Sequence, residues 1–214
     1  MARNVSIQVL RGIAANIPTL NAGEFYFTTD TLKLFVGSAS GNLQVGPTPS
    51  NAASASQTIN AATTAALAGS ALAVPTSKLK IGSVFIWNLT VSKTAAGTAA
   101  NTFNIRCGTT GGSSDTSLIA LATPTATGAI DTAQVQVVLT CRGPLSASGI
   151  FQGTLSLVHN LSATGFATIP CVVVAGTSST FDVTQANLIL SLSCTTAAST
   201  VLTFSQVTGQ AFGL

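Results

Sequence analysis

At 214 residues, with 46% hydrophobic composition and a mean hydropathy of +0.54, the chain has enough apolar material for one sizeable core plus a small module, which excludes a disordered protein. Only 6% of residues are charged, against about 25% in ordinary soluble domains, so the surface is built largely from Ser, Thr, Asn, Gln and Gly. The net charge of +3 comes from eight scattered Lys and Arg residues, and with one Trp and one Tyr there is no cationic groove with aromatic platforms; this argues against nucleic-acid binding.

The first segment, MARNVSIQVLRG, has neither an apolar signal region nor a small-residue cleavage site, so the chain is expected to be made and kept without Sec export. Val5, Ile7 and Val9 alternate as a first strand. The stretch GEFYFTTDTLKLFVG, residues 23–37, then places two short apolar runs, Glu24 to Phe27 and Leu32 to Val36, on either side of Thr28, Thr29, Asp30 and Thr31. Those four residues can bond their own backbone and reverse the chain, which predicts a β-hairpin.

This wording resembles a segment near the N-terminus of many tailed-bacteriophage fibre and host-tropism proteins: a Gly-Glu, an aromatic run, Thr-Asp-Thr, a Lys or Arg, then an apolar residue, Val and Gly. In that family the segment belongs to a small intertwined β-module by which a trimeric fibre attaches to the virion. The resemblance covers about the first fifth of the chain. It implies a module over residues 1–46, with Glu24, Phe25, Tyr26, Phe27, Asp30, Lys33 and Phe35 as attachment residues, other virion proteins as partners, and a virion protein assembled in the bacterial cytoplasm.

A break follows at Gly46-Pro47-Thr48-Pro49-Ser50-Asn51, and the chain is then almost entirely Ala, Ser, Thr and Gly to Ala73. Residues 47–78 read as a flexible or extended linker, with a short helix over Ile59 to Leu72 as the alternative. From Leu79 onward, strand-like runs recur between Gly-rich turns. They predict an all-β region over 79–214, an antiparallel jelly-roll-like sandwich that folds from about Ser77. Long uncharged stretches alternate with period two and are broken by Gly, Pro and Asn, so no membrane insertion is expected. Lys, Glu and Pro are too few to guard the edges of two sheets, which suggests cover by symmetric copies of the chain, and the fibre resemblance implies a homotrimer. The loops 108–115 and 123–131, carrying Thr109, Thr110, Asp115, Thr125 and Asp131, are then read as an outward tip that contacts a host surface glycan or protein.

Chemistry is sparse. The chain offers one His and five carboxylates. His159 continues the alternation of Leu155 and Leu157 and reads as a hydrogen-bonded core or interface residue; no GxSxG accompanies any serine. Glu24 and Asp30 flank a turn and are read as turn residues rather than as a glycosidase pair. Asp115, Asp131 and Asp182 adjoin loop-to-strand transitions, where a calcium site would need several oxygens to converge. Cys107, Cys141, Cys171 and Cys194 lie 34, 30 and 23 residues apart, which fits neither a zinc knuckle nor a CxxC pair. Cys141 and Cys194 extend alternating aliphatic sets, and the thiols are read as free and buried. No cofactor or metal is expected, and no enzyme. The function read from the chain is a trimeric phage fibre or spike that binds the host. A head fibre or capsid decoration protein of the same architecture is one alternative, a polysaccharide depolymerase tailspike another.

Overall fold

The computed structural model describes residues 9–29, 34–38, 41–45, 49–74 and 78–214. Val5, Ile7, Asp30 and Lys33 lie outside the described residues. The chain forms two compact units, Met1–Pro47 and Thr48–Leu214.

In the first unit, β1 (Val9–Gly12), β2 (Phe25–Thr28), β3 (Leu34–Ser38) and β4 (Gly41–Val45) form a four-stranded sheet in that order. The expected hairpin is present: β2 and β3 pair antiparallel, with Phe25 opposite Val36, Tyr26 opposite Phe35 and Phe27 opposite Leu34. β1 runs parallel to β2. A parallel neighbour needs a long return connection, and residues 13–24 supply it through a single 3-10 turn at Ala14–Asn16.

The second unit is an antiparallel sandwich. Its short strands are β5 (Ser50–Ala52), β6 (Gln57–Ile59), β7 (Thr64–Ala66) and β8 (Leu72–Ala73). Its long ones are β9 (Val84–Lys93), β10 (Thr102–Gly108), β11 (Thr116–Ala122), β12 (Asp131–Cys141), β13 (Phe151–His159), β14 (Cys171–Thr177), β15 (Ile189–Thr195) and β16 (Leu202–Phe212). Sheet one has the order β11-β10-β15, with β7 and β8 along the far side of β15; sheet two has the order β14-β13-β12-β9-β16, with β5 and β6 along β16. The links β9–β10, β11–β12, β14–β15 and β15–β16 pass between sheets, as in a jelly roll, while β12–β13–β14 stays in one sheet as a meander.

Period-two alternation explains the core. Phe85, Trp87, Leu89 and Val91 from β9 and Val135, Val137, Leu139 and Cys141 from β12 all point inward and are buried. They meet Phe103, Ile105 and Cys107 of β10 and Leu190, Leu192 and Cys194 of β15 in one cluster. Phe103 stands edge-on to Phe204 of β16 at 6.3 Å between centroids, joining the two sheets.

The stretch read as a linker, 47–78, is corrected by these pairings. Its described part is neither a free linker nor a helix. Residues 50–59 run antiparallel along β16, the chain turns, and residues 64–73 run antiparallel along β15. Ile59, Leu67, Leu72 and Val74 enter the core at 1–4% exposure, and Trp87 Nε1 donates to the Ser70 carbonyl at 2.7 Å. Small residues dominate this stretch because it lies across the open side of the sandwich, and four dispersed aliphatics anchor it.

On this side the chain covers β15 and β16 with its own short, interrupted strands, which are themselves poor templates for further pairing. On the other side β11 and β14 approach each other, and Ser179 N donates to Leu118 O at 3.3 Å. Much of the cover assigned to symmetry mates is therefore supplied within one chain.

Candidate functional sites

Several residues of the fibre-like segment have a mechanical role in the first unit. Glu24 N donates to Asn21 O at 3.0 Å, closing a turn whose third residue, Gly23, has φ of +87°, the left-handed geometry that favours glycine. The Glu24 carboxylate accepts from Asn21 N at 2.8 Å, and these bonds to Asn21 hold it below the usual carboxylate range. Gly37 packs directly on the Asn21 carbonyl, where a Cβ would collide with backbone. Asn42 completes the bracing by accepting from Leu20 N at 3.0 Å and donating to Pro18 O at 2.7 Å.

Strand parity sorts the aromatic residues onto two faces. Tyr26 is 5% exposed and lies against Gly12, so its ring belongs to the module's interior rather than to a docking surface. Phe35, its cross-strand partner, is half-buried. The opposite face carries Val9, Phe25, Phe27, Leu34 and Val36, brought together by the β1–β2 and β2–β3 registers, with the exposed Arg11 beside Phe27 at its margin. The four β2 and β3 members of this row are half-buried, and Val9 is 40% exposed. This is a row of large apolar side chains only partly withdrawn from water.

The loops read as one tip do not form one. Loop 108–115 precedes β11 and loop 123–131 follows it, so a seven-residue strand separates them by about 20 Å, at opposite ends of the sandwich. Thr109, Thr110 and Thr125 are exposed, but Asp115 and Asp131 are buried at 8% and 5%. Asp115 accepts from Thr110 Oγ1 at 2.7 Å and Gly111 N at 2.7 Å, which folds its own loop, while Arg106 donates to its carbonyl at 2.6 Å. Asp182 is half-buried and bonded to Thr184, whose hydroxyl and backbone N–H hold it below the usual range. Among the described residues, no group of three or more His, Cys, Asp or Glu is arranged to hold a metal ion.

Asp131 is the hub of a buried polar network. Its Oδ2 lies 2.6 Å from His159 Nδ1 and accepts from Phe166 N at 3.3 Å; its Oδ1 accepts from Thr132 N at 2.8 Å and Leu161 N at 3.3 Å. His159 Nε2 is 2.6 Å from the Ile169 carbonyl. Both ring nitrogens thus face oxygen atoms, a carboxylate on one side and a backbone carbonyl on the other. Lys93, fully buried, is opposite Asp131 across the β9–β12 ladder and donates to Thr127 O at 2.7 Å and Ala129 O at 3.0 Å. Burial lowers the Lys93 pKa and the Asp131 charge opposes that shift. Thr127 and Gly165 exchange two further bonds, so loops 123–130 and 160–170 are tied to each other and to the sheet. The hydrogen-bonding capacity of the His159 ring is occupied by this tie.

Lys93 is the member of this network absent from the sequence-based expectation, although parity in β9 marks it: Phe85, Trp87, Leu89, Val91 and Lys93 share one face, and a lone Lys on a core face needs partners.

All four cysteines are free; Cys107, Cys141 and Cys194 are buried, whereas Cys171, at the start of β14, is exposed and departs from the expectation that all are internal. Burial raises the three internal thiols, Cys194 to about 12. Because the thiolate is the reacting species, iodoacetamide at pH 8 is expected to modify Cys171 alone in the native protein and all four in urea, read by mass spectrometry. Modification of more than one thiol in the native protein would contradict the packing.

A comparison with protein-family models and with curated proteins finds no match to this chain.

Proposed function

We propose that this chain is a non-enzymatic structural protein of a tailed-bacteriophage virion, held on the particle by its first unit and displaying the sandwich outward as a trimeric fibre or spike that contacts the host surface. The observation that carries the reading is the first unit itself. The fibre-like segment folds as a hairpin inside a separately compact module, and the module leaves Val9, Phe25, Phe27, Leu34 and Val36 as a partly exposed apolar row. Such a row on so small a sheet suits burial against other chains, either copies of itself or the particle.

The charge-poor sandwich supports display in an assembly rather than free circulation. A depolymerase activity has less to draw on: Asp115 and Asp131 lie at opposite ends of the sandwich, each engaged by donors that fold its loop, and both His159 nitrogens are occupied. Peptide mass spectrometry of gradient-purified particles tests the reading. The chain should be present in a copy number divisible by three; its absence from the particles would overturn the proposal.

A further inference from the structure

The outer face of sheet two carries a shallow groove of about 380 Å³ on β9, β12, β13 and β16. Parity explains its lining. The inward positions of these strands form the core, and the outward positions between them are Asn88, Thr90, Gln134, Gln136, Ser156 and Gln206, every one uncharged. The register of β16 slips between Phe204 and Gln206 opposite β9, a bulge that leaves both Ser205 and Gln206 exposed on the solvent side. Gln206 is thereby set against Thr90, whose hydroxyl donates to Gln206 Oε1 at 3.3 Å.

The amides are partly fixed and partly unoccupied. Gln136 Nε2 donates to Asn88 Oδ1 at 3.0 Å, which leaves Gln136 Oε1 and Asn88 Nδ2 without a partner among the described residues. Gln206 keeps its Nε2 donors, and the Gln134 amide has no partner among the described residues. The groove therefore offers both donors and acceptors without any formal charge. An anionic ligand would meet no cation here and a cationic one no carboxylate. The complementary ligand is neutral and carries closely spaced hydroxyls, each able to donate and accept. Val158, 54% exposed at the groove's side, offers an apolar contact for the C–H face of a sugar ring.

We propose that this groove binds a neutral saccharide of one or two pyranose rings, a volume at the small end of ligand sites. The proposal rests on the host-contact reading above and moves the contact from the loops to the sheet face. A shallow, open site of this kind binds in the millimolar range, and three copies on one fibre raise the effective strength.

The test is saturation-transfer NMR of the full chain with glucose, galactose, mannose, N-acetylglucosamine, cellobiose and lactose, each at about 10 mM, where a millimolar site is well occupied. Transfer to at least one of them is expected. Gln134→Ala with Gln206→Ala should weaken that binding by about tenfold or more, the loss of two hydrogen-bonding groups, whereas Thr109→Ala with Thr110→Ala should leave it unchanged. Both sites are exposed, and circular dichroism checks that each variant folds. No transfer to any of the six sugars, or binding indifferent to the glutamine changes, would overturn the site. Loss of the oligomer in the glutamine variant without sugar binding by the parent would likewise overturn it, assigning the face to a second copy of the chain. These failures leave the chain's presence in particles untouched, so they are separable from failure of the virion reading.

Discussion

A chain beginning at Thr48 is expected to fold cooperatively, and one beginning at Ser77 is expected not to fold. The difference is the pair of interrupted strands between them. Removing residues 48–76 strips Ile59, Leu67, Leu72 and Val74 from the core, all at 1–4% exposure. At about 1.5–3 kcal/mol for each buried aliphatic side chain, the loss is roughly 6–12 kcal/mol, comparable with the whole 5–15 kcal/mol stability of a typical domain. The polar cost adds to it. Trp87 Nε1 loses the Ser70 carbonyl, and Leu192 N loses Ser70 Oγ, which it reaches at 3.0 Å in the buried interior. Urea unfolding followed by tryptophan fluorescence reads both chains, since Trp87 sits at the affected site. A Ser77 chain that unfolds cooperatively within about 2 kcal/mol of the Thr48 chain would show that the covering strands are dispensable.

Replacing Asp131 by Ala should cost about 3–5 kcal/mol, in the upper range for a single substitution, because it leaves several buried donors unsatisfied. Four donors lose their acceptor at once: His159, Thr132 N, Leu161 N and Phe166 N. Lys93, buried on the same ladder, loses its nearest counter-charge. His159→Gln should cost less, about 1–3 kcal/mol, because it removes one member and leaves the carboxylate its backbone donors. Since the two side chains share a bond of 2.6 Å, the double variant should cost clearly less than the two single losses added together. Additive losses, or an Asp131→Ala variant within about 1 kcal/mol of the parent, would contradict the network.

What the sequence makes legible here follows from the length of the alternating runs. Val135 to Cys141 and Phe85 to Val91 alternate over seven positions, enough to assign faces, and those faces are the core. The hairpin at β2 and β3 is also readable, because its partners are local and its turn residues are distinctive. The strands between 50 and 73 are not readable in the same way. Each has two or three residues, too few for a period, and their partners lie more than 100 residues away, as with Thr64 opposite Thr195. Parallel pairing of β1 with β2 is likewise invisible, since alternation carries no direction. The placing of the two loops is a different case: a single strand-like run, Thr116–Ala122, stands between them, and that alone puts them at opposite ends. The Asp131–His159 bond joins residues 28 apart whose approach depends on the β12–β13 register, and no local pattern announces it.

The central claim is that the first unit holds the chain on a phage particle. Its most direct measurement compares particles assembled with the full chain and with a chain beginning at Thr48, both supplied in place of the original and checked for folding by circular dichroism. The account predicts that the full chain sediments with the particles and that the Thr48 chain, folded, stays in the supernatant. A Thr48 chain that sediments with the particles as fully as the full chain, or a full chain that never does, would contradict it.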